Sequence, residues 1–167
     1  WLAHAVNTLL VHRLARVGLR QSAPVALCLA LLFALNPAGY EALAWSSAIG
    51  YTLVSVPILV ALNIALSGAS GPRAAWRLAG LQFAAFLIWD WGILLAPLAG
   101  VSAFMRRQSE GKPAKAPVFR LMLPAGVVWV LGLAAKLLML PGMGYPGQAV
   151  GSMLALQSLA ASPLLAL

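Results

Sequence analysis

The chain alternates long apolar runs with short polar or basic breaks. Trp1 to about Val17 is apolar, carries His4 and Asn7 three residues apart on one helix face, and ends in Arg13, Arg16 and Arg20. A second run spans Pro24 to Leu35. Pro24 suits a first helical turn, and Asn36-Pro37 closes the segment. At about 20 Å it falls short of a ~30 Å hydrocarbon core, so either the bilayer thins there or the protein buries one end. A third run, about Tyr40 to Leu66, is long enough to cross with tilt, and Pro57 in its interior predicts a kink. The linker Ser67–Arg73, with Arg77, forms a second basic edge.

Residues 74–104 can be read as one pass or two. A single helix would put Arg106, Arg107, Lys112 and Lys115 on the face opposite the other basic edges. Two short passes, about 74–89 and 92–104, broken at Trp89-Asp90-Trp91-Gly92, bring every basic cluster to one side. Clustered Lys and Arg mark the cytoplasmic loops of membrane proteins, and the polar Asp-Trp-Gly break is itself a turn signal. The two-pass reading follows, with Asp90 on the same outer side as Glu41.

Arg106 to Pro117 is the one clearly hydrophilic stretch and reads as a mobile basic linker. A sixth apolar segment runs from Val118 to Leu140, with Lys136 placed to snorkel near its outer end. The Pro141–Gly147 stretch has glycines in turn spacing but no lysine-serine of a phosphate loop, so it reads as a turn. The seventh segment, Gln148 to Leu167, carries a small-residue stripe, Gly151, Ala155, Ser158 and Ser162, which favours close helix packing in lipid. The fold class expected is all-α: a polytopic transmembrane helical bundle of about seven membrane segments, two or three of them short. It divides into membrane helices 1–105, a cytoplasmic basic linker 106–117 and a C-terminal helical hairpin 118–167.

Composition agrees with this pattern. Of 167 residues, 62% are hydrophobic and 8% charged, and mean hydropathy is +0.92. Eleven Lys and Arg against three Asp and Glu give a net charge of +8. In a soluble domain that balance would suggest nucleic acid. In a chain this apolar it describes short cytoplasmic loops, and no nucleic-acid partner is expected. Cys28 is the single cysteine, which excludes an internal disulfide or a cysteine metal cluster. The first residue is Trp1, already in a helical pattern, so the chain reads as a piece of a longer protein or a processed one.

Glu41 and Asp90 are the acids of the apolar part, both at outer helix junctions. Carboxylates there could bind a divalent cation, act as a base or receive a cationic ligand. Each also fits a plainer role beside a helix N-terminus, where the dipole favours negative charge. His4 and His12 could each ligate haem or a chlorophyll magnesium. They lie about 80° apart around a helix, and hydrogen bonding between helices is the simpler role. No cofactor is expected from these residues. Six tryptophans suit membrane interfaces.

The order of features resembles the GT-C membrane glycosyltransferases, in particular the branch related to O-mannosyltransferases whose members often carry TPR repeats. The match lies in His4-Ala5-Val6-Asn7-Thr8-Leu9-Leu10 followed by Arg13 and Arg16. It continues in Phe33-Ala34-Leu35-Asn36-Pro37 and Tyr40-Glu41-Ala42-Leu43-Ala44-Trp45-Ser46, then in the Trp89-Asp90 junction and Pro97. It covers about residues 1–105 and is most specific around 33–47. The resemblance implies a GT-C-like scaffold, a polyprenyl-phosphate sugar donor and a catalytic Asp in an outer loop that would precede Trp1. It also points to His4, Asn7, Trp45 and Trp89 as binding candidates and to Glu41 and Asp90 as catalytic ones. Several family features are changed. Asn36 stands for a histidine, residues 48–52 are uncharged where charges are expected, and Trp89 stands for a lysine. Losing those cations removes the grip on a donor phosphate.

The expectation is therefore a non-catalytic accessory or structural subunit of a larger membrane complex. It would sit in a bacterial inner membrane with its basic loops cytoplasmic, in contact with lipid and other membrane subunits. The alternative is a working glycosyltransferase whose base lies upstream.

Overall fold

A computed structural model describes residues 1–36, 49–88 and 90–139. Over these residues the chain is helical, with no strand. The helices are α1 (Leu2–Arg13), α2 (Ala23–Ala34), α3 (Ile49–Ser67), α4 (Pro72–Ile88), α5 (Leu95–Ser109) and α6 (Lys115–Met139). A π-helical turn, Leu14–Gly18, continues α1, and a 3₁₀ turn, Asp90–Leu94, leads into α5. The chain forms two compact units, Trp1–Val130 and Leu131–Leu167. Of the second, the described residues are the last turns of α6. The expected seventh segment, with Gly151, Ala155, Ser158 and Ser162, lies outside the described residues.

Among the described residues two helices are long and apolar enough to cross a membrane: Ile49–Ser67, at hydropathy 2.0, and the Lys115–Lys136 part of α6, at 1.9. The helix Ala23–Ala34 is apolar but short, as its flanking prolines predict. Pro57 lies inside α3, and a second proline, Pro124, inside α6.

In the first unit α3 is central, packed against α1, α4 and α5, while α2 lies on α1. The buried apolar side chains among the described residues are alanines, except Val54, Pro57, Leu78, Leu95 and Leu121. The large side chains face outward instead, such as Leu32 on α2, Trp76 and Phe83 on α4, Val101 on α5 and Phe119 on α6. A water-soluble core would bury those large groups. Small residues inside let helix backbones approach closely, the packing used where lipid surrounds the bundle.

One glycine is fixed by such an approach. A Cβ on Gly18 would meet the Leu66 Cβ at 3.0 Å, so the π-helical turn lies directly on the end of α3. Just before it, Asn63 of α3 donates from Nδ2 to the Leu10 carbonyl of α1 at 3.1 Å and to its own Leu59 carbonyl at 2.9 Å.

The 3₁₀ turn Asp90–Leu94 turns the chain back. Gly92 is pressed on α4, where an added Cβ would collide with the Ala85 carbonyl. The Ala96 N–H of α5 reaches Gln82 one turn earlier in α4. α5 therefore returns alongside α4, and its C-terminal Arg106 lies against Gly68 in the α3–α4 linker. Residues 72–109 thus form two helices folded back on each other, with the turn where the sequence has its polar break. α5 also extends through Arg106 and Arg107 to Ser109, so the hydrophilic linker narrows to residues 110–114.

Candidate functional site

The bundle has two chemically distinct ends. At one, the helix ends and the connections between them carry the Lys and Arg residues from Arg13 to Arg120. Three of these, Arg20, Arg106 and Lys112, meet at Glu110. Arg20 Nη2 donates to Glu110 Oε1 at 2.6 Å, Arg106 Nε to the same oxygen at 3.0 Å, and Lys112 Nζ to Oε2 at 2.8 Å. Arg20 comes from the α1–α2 connection, where it adopts a positive φ of 54°. Hydrogen bonds from Lys112 and then Arg106, with their charges, pull the Glu110 carboxyl down to about 2, against the opposing effect of burial. Arg106 Nη1 is buried without a hydrogen-bond partner.

The opposite end carries aromatic and amide groups. The His4 ring stacks on Phe33 with centroids 5.5 Å apart and planes at 19°. Its Nε2 lies 3.1 Å from the Ala34 carbonyl. A carbonyl can only accept, so in this contact Nε2 is the donor. That nitrogen is committed to holding α1 on the end of α2, and an axial ligand would have to use Nδ1. Thr8 Oγ1 donates back to the His4 carbonyl at 3.0 Å. Asn7 is fully buried and donates from Nδ2 to the Thr52 carbonyl of α3 at 2.8 Å, while its Oδ1 has no partner. Tyr51 and Trp91 approach with ring centroids 6.2 Å apart. An apolar cavity between α1 and α2 is lined by Trp1, Leu2, His4, Ala5, Thr8, Leu9 and Ala34.

Glu41, Trp45 and Trp89 lie outside the described residues. Asp90 opens the 3₁₀ turn. Asn36 and Ile49, which flank the segment containing Glu41, belong to this same end, because Ala34 meets His4 and Thr52 meets Asn7. The backbone of Asp90 lies there too, next to Trp91 and its Tyr51 neighbour. Asn36, Ile49 and the backbone of Asp90 thus share one end of the bundle. His12 lies in the last turn of α1, more than two helical turns from His4.

The chain matches no family model, no curated protein and no solved structure. Its chemistry has to be read from its own side chains.

Two groups that the sequence left unremarked shape the turn between α4 and α5. Gln82 is fully buried, donating from Nε2 to the Gly92 carbonyl at 2.9 Å and accepting the Ala96 N–H on Oε1 at 2.9 Å. One amide thereby satisfies a loop carbonyl and one of the N–H groups that a helix start leaves open. Trp129 of α6 donates from Nε1 to the Ile93 carbonyl at 2.7 Å. A glutamine at an a/d-like position in an apolar run is the signal that could have revealed the first. Glu110 was hidden differently, as a lone acid inside a basic loop, four residues after Arg106.

Chemically, the basic end is organised for ion pairing and anion attraction. Its counterpart is organised for helix-to-helix hydrogen bonding around an apolar cavity. Among the described residues no group of three or more His, Cys, Asp and Glu comes together.

Proposed function

We propose that this chain is the membrane-embedded, GT-C-like portion of a non-catalytic accessory or structural subunit. About seven segments thread the bilayer, with the basic end cytoplasmic, and the outward apolar helix faces meet lipid and neighbouring subunits. The membrane would be a bacterial inner membrane.

The observation that carries this reading is where the buried amides are spent. Asn7, Asn63 and Gln82 each donate to the backbone of another helix or of the α4–α5 turn. They serve as interhelical ties, the role polar groups take inside lipid, and they do not converge on a shared hollow. The cavity beside His4 is walled almost entirely by apolar groups.

The glycosyltransferase reading keeps one observation in its favour, the common end to which the flanks of Glu41 and the backbone of Asp90 are carried. Two measurements on the protein solubilised in mild detergent separate them. The accessory reading expects stoichiometric co-migration with other membrane subunits. It also expects no consumption of a polyprenyl-phosphate sugar. Sugar transfer abolished by Glu41→Gln or Asp90→Asn would sink it.

A further inference from the structure

The Glu110 cluster has more positive charge than its carboxylate can absorb. Three cations meet one acid. Arg106 is largely enclosed, but the Arg20 and Lys112 side chains remain 70% and 62% exposed. They hold opposite oxygens of the same carboxylate, and in these bonds each spends one N–H of the several it carries. The arrangement presents two oriented cations side by side with donors to spare. Leu19, before Arg20 in the chain, and Met105, before the third cation Arg106, are exposed apolar residues at this end.

We propose that Arg20 and Lys112, oriented by Glu110, form a docking site for the phosphate of an anionic phospholipid in the leaflet at the basic end. The phosphate oxygens accept from the guanidinium and the ammonium, and the acyl chains run down the apolar rim beside Leu19 and Met105. Charge-assisted bonds to phosphate are short and strong, and the anionic leaflet concentrates the ligand. The apolar surroundings favour a lipid over a free anion. This inference rests on the membrane-spanning reading and is independent of the accessory role.

The role of Glu110 distinguishes a built site from a diffuse basic field. Removing its charge makes the end more positive, so a diffuse field predicts stronger retention of anionic lipid by Glu110→Gln. A site that depends on Glu110 for orientation predicts weaker retention.

The test uses the full chain in nanodiscs made from phosphatidylglycerol and phosphatidylcholine, with retained lipid counted by native mass spectrometry. The wild type is expected to enrich phosphatidylglycerol. Enrichment should fall about tenfold in the Arg20→Gln/Lys112→Gln variant. It should fall by no more than about threefold in Arg107→Gln/Lys115→Gln, which removes the same charge from the same end. It should also weaken in Glu110→Gln. Equal losses in the two double variants, tighter retention by Glu110→Gln, or no enrichment in the wild type would each overturn the site. So would displacement of the lipid by excess inorganic phosphate, which would make a soluble anion the ligand. If the Arg20/Lys112 variant does not fold, the sign of the Glu110→Gln effect decides alone.

Discussion

Arg20 and Glu110, ninety positions apart, meet at 2.6 Å. One belongs to the connection between α1 and α2, the other to the turn after α5. Their contact follows from two helices folded back on each other over 72–109, and a single continuous helix there would carry Glu110 away from Arg20. The ion pair therefore fixes the direction of α4 and α5 as firmly as the break at Gly92 does.

That geometry makes a labelling prediction. In a Cys28→Ala background, Gln21→Cys and Lys112→Cys should both react with a membrane-impermeant maleimide from the same side of sealed vesicles. Reaction from opposite sides would mean that α4 and α5 form one continuous span.

Glu110 gives the cluster a defined acid response. Its carboxyl is held at about 2, below the ordinary 4.5, so the ion pairs contribute fully above pH 4.5 and are lost as pH falls toward 2. Hydrogen exchange in residues 18–22 and 110–114 should rise together across that window in detergent. Glu110→Gln should show the same raised exchange already at neutral pH. Because the pairs are solvent-accessible, the melting temperature should hardly move.

Gln82 should matter more than its chemistry suggests. Gln82→Leu keeps the bulk but strands the Gly92 carbonyl and the Ala96 N–H in an apolar interior. A loss of about 1–3 kcal/mol is expected, measured by unfolding in mixed micelles. A loss below about 0.3 kcal/mol would mean that water or neighbouring groups replace the amide.

Two glycines make a matched pair. Gly92→Ala drives a methyl into the Ala85 carbonyl, where backbone must move, and should cost at least about 1–3 kcal/mol. Gly80, inside α4, has open space where its Cβ would be, so Gly80→Ala should be neutral or stabilise by up to about 1 kcal/mol. Thermal melts of the two variants in one detergent give the comparison.

The helices were largely legible because their ends are marked: Pro24 and Asn36-Pro37 bound α2, and the Ser67–Arg73 linker separates α3 from α4. Charge bias and the polar Asp90-Trp91-Gly92 break separated α4 from α5, since apolar periodicity alone runs through 74–104 without a clear stop. The ties were harder to read. Asn7 stood out beside His4, but Gln82, Asn63 and Trp129 are single polar atoms in greasy runs, and their partners are backbone groups that no side-chain pattern announces. The cluster at Glu110 depends on a contact ninety residues long, which local spacing does not encode. Glu41 and Trp45, the residues that the family resemblance weighted most, lie outside the described residues.

An interior built of methyl groups changes which mutations this protein should fear. Trimming side chains, the usual route to damage in a water-soluble protein, finds little to trim at Ala61, Ala85, Ala99 or Ala125. Growth is the hazard: one added isopropyl group at any of these positions wedges two backbones apart, while much larger changes on the outer faces merely replace one oily group with another. A saturation scan should accordingly look inverted, with its least forgiving sites at the smallest residues.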